Sequence, residues 1–466
     1  MKPIFEEERL FLNDLLHINL PTDCWRASSK IFLDCTCKKP IYQFKVDNGI
    51  AELTKNNEKL FENYKQKKIK DLLDEYDELI NSQINKSIND LYMYFYSPKL
   101  NHINDDLFVI GHSSGKDSVV TLHIYILFLL DLFNYNKDDV YNIIKKTDIN
   151  FANTSNDTAD TYKFIKNIIN DLKLYFDEFT KNNLVIMNPK EGWTQWLKRK
   201  NYFIPTTLTR NCCSTYKEGQ INKYYDKNKK ITHFIGARKY ESTKRQNYRF
   251  IMDYEYSTKL FGSCNFPKNW CKSCPIVNWK DEEVWLFILR ENLHFNNMYK
   301  LGFQRVGCLL CPYQSNYNDL LIQKYYPQRW DWWMNILEKN YINTGVEKRL
   351  HWTLEEYKNG KWKTGISKVQ ELITKKYTEE RSLELVKILG ISKEMADKYW
   401  NRECSCGKKC NPTEIAMFYK LYGRYEGVED NRQPKCKKCV CEEQEIDKKK
   451  YQEMYLNYRE QGCNLF

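Results

Sequence analysis

Two periods of apolar and polar residues alternate along this chain, and the change from one to the other marks its first boundary. Between Leu53 and Tyr96 the apolar positions Ile69, Leu72, Leu73, Tyr76, Leu79 and Ile80 recur at helical spacing in a charged background. That spacing predicts a helical, peripheral region over residues 1–104, packed by one stripe on a core. From residue 107 short apolar runs take over: Leu107–Gly111, Ile149–Asn153, Leu184–Met187 and His233–Gly236. Helix-length segments, Val119–Phe133 and Tyr162–Phe179, separate the first three. Strands alternating with helices predict an α/β domain over 105–325, a parallel sheet with helices on both faces. Ligands of such sheets bind beyond the carboxyl ends of the strands. A Trp- and Tyr-rich helical region, 326–402, follows. Six cysteines between Cys404 and Cys441 then set off a small module, 403–466.

Composition narrows the setting. A length of 466 residues suits two or three domains. No apolar run reaches the ~18 residues of a membrane span, and Thr121 and His123 interrupt the longest, Val119–Leu130. The first twenty residues lack a basic, apolar, small-residue leader pattern, so the expected location is the cytoplasm, without a membrane partner. The net charge is +12, and residues 181–259 hold 17 Lys and Arg against 6 Asp and Glu. A block so one-sided favours a polyanionic partner, a nucleotide or DNA or RNA.

The first strand runs into Ser113-Ser114-Gly115-Lys116-Asp117-Ser118, which opens a helix. Backbone N–H groups at a helix N-terminus carry positive partial charge, Gly115 lets an anion approach, and Lys116 adds a full charge. The hydroxyls of Ser113 and Ser118 can donate to phosphate oxygens. Asp117 can orient the loop or help hold magnesium. The spacing is not that of a Walker loop. It resembles the SGGKDS signature of the PP-loop ATP pyrophosphatases, with Ser114 in place of the first glycine.

Further residues narrow the resemblance. Phe151-Ala152-Asn153-Thr154 ends the second strand; Arg210-Asn211-Cys212-Cys213 with Lys217, and Gly236-Ala237-Arg238 with Glu241-Ser242 and Arg245, come next. Pro275-Ile276 with Trp279 and Asn297 to Pro312, including Tyr299, Gly302 and Arg305, complete the order. The chain is similar over about residues 105–315 to the phosphoadenosine phosphosulfate (PAPS) reductase family and its relatives in DNA phosphorothioation. The resemblance implies an adenine nucleotide alpha-hydrolase-like fold and an ATP site of Ser113 to Ser118 with Asn153 and Thr154. Asn153 stands where the family usually has Asp. It also implies a substrate site of Arg210, Lys217, Arg238, Glu241, Ser242, Arg245 and Arg305. Within it Arg238 and Arg245 touch phosphate or sulfate, beside the catalytic Lys116 and Asp117, and Glu241 holds one arginine. Guanidinium forks suit that task.

The cysteines cluster as metal ligands do in a reducing compartment. Cys212-Cys213 with Cys308-x-x-Cys311 resembles the set that binds a 4Fe-4S cluster in the iron–sulfur branch of the family. Four thiolates without histidine suit a cluster or zinc. A rival pairing joins Cys271 and Cys274 to Cys308 and Cys311 and reads by spacing as zinc-like. Cys24, Cys35 and Cys37 lack an evident fourth ligand. The terminal module, with Cys404, Cys406, Cys410, Cys436, Cys439 and Cys441, reads as structural zinc on four of six ligands. Together these features predict an ATP-using, pyrophosphate-releasing enzyme of sulfur chemistry, with sulfur transfer onto nucleic acid preferred and a donor such as a cysteine desulfurase. The alternatives are a sulfate-assimilating PAPS or adenylyl-sulfate reductase, for which only Gly462-Cys463 resembles the catalytic tail, and a non-catalytic iron–sulfur nucleotide-binding protein.

Overall fold

Six strands form the sheet that the alternating pattern predicts: β6 (Leu107–Gly111), β7 (Thr147–Ala152), β8 (Leu184–Met187), β9 (Ile231–Ile235), β10 (Ile251–Met252) and β11 (Trp270–Ser273), in the order β10-β11-β9-β6-β7-β8. All neighbours are parallel except β10, a short antiparallel edge strand. The computed structural model describes residues 1–47, 49–242, 245–261, 266–375, 377–400, 403–422 and 433–460. Cys264 and Cys463 lie outside them. Alternate residues of β6 feed two separate cores: Phe108 and Ile110 join one, Val109 joins Ile231 and Trp270 in another. Strand geometry requires this, because successive side chains point to opposite faces. Both faces of the sheet are therefore covered.

The chain proceeds from β6 outward through β7 to β8, then returns to the other side of β6 for β9. The switch point thus lies between the carboxyl ends of β6 and β9, where a ligand crevice opens in sheets of this kind. Helix Lys116–Phe133 follows β6 and buries most of its residues. Helix Ala159–Leu172 is shorter than the periodicity suggests, and Phe176 and Phe179 reach the core from the turns after it.

The N-terminal region is not simply helical. Helix Ile69–Tyr96 forms as expected, burying Leu72 and Ile80 while leaving Leu79 exposed. Ahead of it stands an antiparallel sheet of five strands in sequence order: β1 (Lys2–Pro3), β2 (Trp25–Ala27), β3 (Lys30–Phe32), β4 (Tyr42–Asp47) and β5 (Ile50–Asn56). Three of these have two or three residues, too few to show a period-two pattern. A buried charge cluster ties this sheet to the turn at 299–302. Glu8, fully buried, pairs with Lys2 and with Arg26 Nε at 2.6 Å. Lys2 Nζ donates to the Tyr299 carbonyl at 3.0 Å and Arg26 Nη2 to the Gly302 carbonyl at 2.6 Å. Burial lowers the Lys2 ammonium to about 8, although Glu8 opposes the shift.

The chain divides into two compact units, Met1–Gln195 with Cys212–Pro327, and Trp196–Asn211 with Gln328–Phe466. The second is helical where described, beginning with helix Pro327–Asn343 and centred on Trp333, Leu337 and Trp362. Cys436 precedes its helix Lys437–Glu443. No described helix is long and apolar enough to cross a membrane.

Candidate active site

Between β6 and its helix the backbone turns through Ser114, whose φ of 60° lies in the left-handed region that favours glycine. This is the position at which the resembled signature has glycine. The serine is held instead by hydrogen bonds. Its N–H donates to His112 Nδ1 at 3.2 Å, and its buried hydroxyl accepts from Asn296 Nδ2 at 3.2 Å. Burial alone lowers His112 to about 3, so the ring stays neutral and can accept. Gly115 caps the helix, Ser113 Oγ accepts the Gly115 N–H at 3.4 Å, and Ser118 Oγ donates to the Gly115 carbonyl at 2.8 Å. Tyr299 Oη accepts the Lys116 N–H at 2.9 Å. Burial pushes that phenol up to about 12, so it stays protonated.

Lys116 is engaged rather than free. Its ammonium lies 2.8 Å from Asp117 and 2.9 Å from Asp281. Arg238 binds the same two carboxylates, at 2.6 Å to Asp117 and 2.7 Å to Asp281. Burial would lower the Lys116 ammonium, but the two carboxylates outweigh it and hold it above its ordinary value. Burial likewise opposes the Asp281 anion, and Lys116 and Arg238 among its neighbours hold its carboxyl below the usual range. Gly236, just past β9, makes the arrangement possible. A Cβ there would stand 2.6 Å from the Asp117 backbone carbon and 2.9 Å from the Ser118 nitrogen, so a side chain would push β9 off the loop. The resemblance gives Arg238 a phosphate; the structure finds it 2 % exposed and paired to carboxylates, the geometry of a group that orients the loop.

The second polar turn follows β7. Asn153 bridges Asn188, at 2.7 Å, to the Ser155 N–H and the Tyr162 hydroxyl, both also at 2.7 Å. Thr154 donates to Asp157 at 2.8 Å and accepts from the Cys308 thiol at 3.4 Å. The turn after β7 thus touches the C-x-x-C loop. Asn156, buried beside them, has neither side-chain polar atom hydrogen-bonded. Glu241 accepts the Arg238 N–H at 3.0 Å and pairs with Arg245, so it serves both arginines, while Ser242 is exposed on extended backbone. Arg305 is exposed on the C-x-x-C side and acts on Cys311. Arg210 belongs to the second unit.

Cys212 and Cys213 lie in a helical turn, Asn211–Cys213, that continues as a π turn, Ser214–Glu218. The wider turn brings the Ser214 carbonyl to 2.2 Å from where a Cβ of Gly219 would be, so only glycine closes it. Electrostatic contacts join Cys212 to Cys213, Cys308 and Cys311, and Lys217 to Cys308, Cys213 and Cys311. Cys213, Cys308 and Cys311 thus lie within electrostatic reach of both Cys212 and Lys217, but the four sulfurs do not all lie within 4.8 Å of one another. The rival pair is not part of this set: Cys271 is set in the main core near Tyr94, and Cys274 among Ala237, Met252 and Val277. Among the described residues, one group alone has all its ligand atoms within 4.8 Å of one another, the sulfurs of Cys404, Cys406, Cys436 and Cys439. Tetrahedral zinc, with bonds of about 2.3 Å, needs sulfurs about 3.8 Å apart, and these fit. Cys410 and Cys441 turn instead to the carbonyls of Pro434 and Asp447.

Asp281, Asn296, His112 and Tyr299 are the loop's supports that sequence reasoning did not single out as site residues. The acidic first turn of helix Asp281–Arg290 and the tyrosine in the resembled pattern were the available signals.

A mostly parallel sheet with a serine- and lysine-bearing loop opening a helix at its switch point is the α/β arrangement that the sequence predicts. Residues 108–314 match the phosphoadenosine phosphosulfate reductase domain. Two uncharacterised proteins of Methanocaldococcus jannaschii are each 28% identical, over 52% and 62% of this chain. The matches span 45% and 60% of their own lengths. An adenosine 5'-phosphosulfate reductase of Anoxybacillus flavithermus is 22% identical over 45% of this chain and 74% of its own. A crystal structure of a PAPS reductase from Candida auris in a phosphate complex aligns with a TM-score of 0.30 at 17% identity, over 50% of this chain and 93% of that one.

Proposed function

We propose that this chain is an ATP-using enzyme of sulfur chemistry that activates an oxygen of nucleic acid and releases pyrophosphate, so that a sulfur nucleophile can replace that oxygen. The observation that carries the reading is the loop at the switch point: a helix N-terminus with Ser113, Ser118 and Lys116 around it, braced by Asp117, Arg238 and Asp281. An acceptor oxygen attacks the α-phosphorus of ATP, the bond to the pyrophosphate oxygen breaks, and the positive helix end and Lys116 stabilise the charge on the departing pyrophosphate. Magnesium, held through Asp117, would add charge to the same oxygens. The thiols of Cys212, Cys213, Cys308 and Cys311 would hold an iron–sulfur cluster, which supplies sulfur-compatible redox and electrostatic chemistry, and Cys404, Cys406, Cys436 and Cys439 would hold structural zinc. A sulfur donor such as a cysteine desulfurase completes the scheme. The test is pyrophosphate release from ATP, measured anaerobically with and without DNA and RNA. Release that nucleic acid does not stimulate counts against the acceptor; none at all counts against ATP use.

The relatives named adenosine 5'-phosphosulfate reductase favour a second reading, reduction of an already adenylylated sulfate. Sulfite release from adenylyl sulfate with a thiol reductant would decide for it.

A further inference from the structure

Segment 196–211 carries four cations, Lys198, Arg199, Lys200 and Arg210, and no carboxylate. It belongs with the helical second unit, where it lines a cavity of about 290 Å³ with Trp196, Lys200, Phe203, Pro205, Thr209 and Asn211. Its shape is imposed. After helix Trp193–Arg199 two consecutive residues, Asn201 and Tyr202, take left-handed backbone angles, φ 50° and 60°. That conformation is unfavourable for any residue with a Cβ and persists only where its surroundings enforce it. Here helix Pro327–Asn343 enforces it: Asn340 Nδ2 donates to the Tyr202 carbonyl at 2.6 Å and Asn343 Nδ2 to Asn201 Oδ1 at 3.3 Å. Asn340 is itself buried and fixed by the Tyr357 hydroxyl at 2.6 Å. Farther along, Thr206 and Thr209 close a turn, with their hydroxyls 3.0 Å apart.

This strained turn puts Phe203 on the surface, 43 % exposed and without a ring partner among the described residues. Lys198 and Lys200 are exposed and make no ion pair among those residues. An aromatic and proline wall rimmed by Lys200, with Lys198 close by in sequence, is the composition that binds an unstacked base with its phosphates. The volume sits at the small end of ligand pockets, roughly 300–1,000 Å³, which suits one base. A duplex hides the base face that such a wall needs.

We propose that this cavity receives a base of a single-stranded nucleic acid, stacked against Phe203 and Trp196, with Lys198 and Lys200 on the adjoining phosphates. This rests on the nucleic-acid acceptor reading above, whose strand form it specifies. Asn211, at the edge of the cavity, is bonded directly to Cys212.

The test uses the full chain and a fluorescein-labelled oligothymidylate, read by anisotropy, against the duplex of the same strand with oligoadenylate and against AMP as a competitor. Phe203→Ala should weaken single-strand binding by about ten-fold, the loss of one base–aromatic stack. Phe203→Tyr should restore it, and Lys200→Ala should make the logarithmic salt slope shallower by about one. Melting temperature checks that each variant folds. Unchanged single-strand binding by Phe203→Ala overturns the inference, as does equal affinity for duplex with equal loss. AMP that displaces the oligonucleotide at micromolar concentration overturns it in favour of a mononucleotide pocket. A wild-type chain that binds oligonucleotide with Phe203→Ala unaffected leaves the acceptor reading standing; a wild-type chain that binds none removes both.

Discussion

Asn296 donates its side-chain amide to the hydroxyl of Ser114 at 3.2 Å, across 182 positions of sequence, and so holds a serine in a conformation that glycine would take without help. The same amide donates to Thr161 at 3.1 Å, and its oxygen accepts the Met298 N–H at 2.9 Å. Asn296→Ala should therefore strand three buried groups and cost about 2–3 kcal/mol in urea unfolding. Ser114→Gly should stay within about 1 kcal/mol of wild type, because the lost contact is offset by relief of the backbone. A larger loss for Ser114→Gly than for Asn296→Ala would refute this account of the turn.

Lys116→Ala removes a cation shared by Asp117 and Asp281 as well as the loop's full charge. Pyrophosphate release should fall by at least about 100-fold, the scale of losing one electrostatic stabiliser. Stability should fall too, by about 2 kcal/mol. That is less than the 3–5 kcal/mol of a fully buried pair, since Arg238 still binds both carboxylates and Asp281 keeps 36% of its side chain exposed. Steady-state assay with a parallel unfolding curve checks both.

Zinc content separates the six terminal cysteines. Cys404→Ser or Cys436→Ser should reduce zinc, counted per chain by mass spectrometry, to near zero, while Cys410→Ser and Cys441→Ser keep it. Iron and its brown absorbance near ~400 nm should respond to Cys212, Cys213, Cys308 and Cys311 alone.

Glu8→Gln leaves Lys2 and Arg26 buried without their carboxylate. The expected cost is about 3–5 kcal/mol, visible as a lower melting temperature. Because Lys2 and Arg26 also hold the carbonyls at 299 and 302, ATP affinity in the surviving folded protein should weaken with it.

Acid should destabilise the fold through its buried histidines. Burial lowers His112 and His233 to about 3 and His123 to about 4, below the ordinary 6.5. Between those values the unfolded chain binds more protons, so stability falls as pH drops through 6.5 and goes on falling to about 3. Each histidine contributes up to about 1.4 kcal/mol per pH unit. His112→Gln should flatten the dependence of the urea midpoint on pH between 6.5 and 4.5. An unaltered slope would show that His112 does not contribute.

The strands Leu107–Gly111 and Leu184–Met187 were legible to the residue, because each is a continuous apolar run bounded by turn residues. The sheet ahead of them was not. Its first three strands are too short for a pattern, and β5 is largely exposed on both faces. Lys116 and Asp117 could be read from a local motif, and so could the six terminal cysteines as a group. Their partners were harder: Asp281 and Asn296 matter because the chain brings them back to the loop, and the acidic first turn of helix Asp281–Arg290 marks a helix start without saying what it meets. The choice of four sulfurs among six was likewise set by which of them the fold brings within 4.8 Å of one another, a tertiary fact.

The chain crosses between its two compact units at 195/196, at 211/212 and again at 327/328. Beads on a string can be swapped one at a time; these cannot. Stopping translation after residue 327 would leave sixteen residues of the second body in the remaining sequence, with the Asn340 that holds their turn missing. The stretch just before Cys212-Cys213 therefore depends for its shape on residues more than a hundred positions further on.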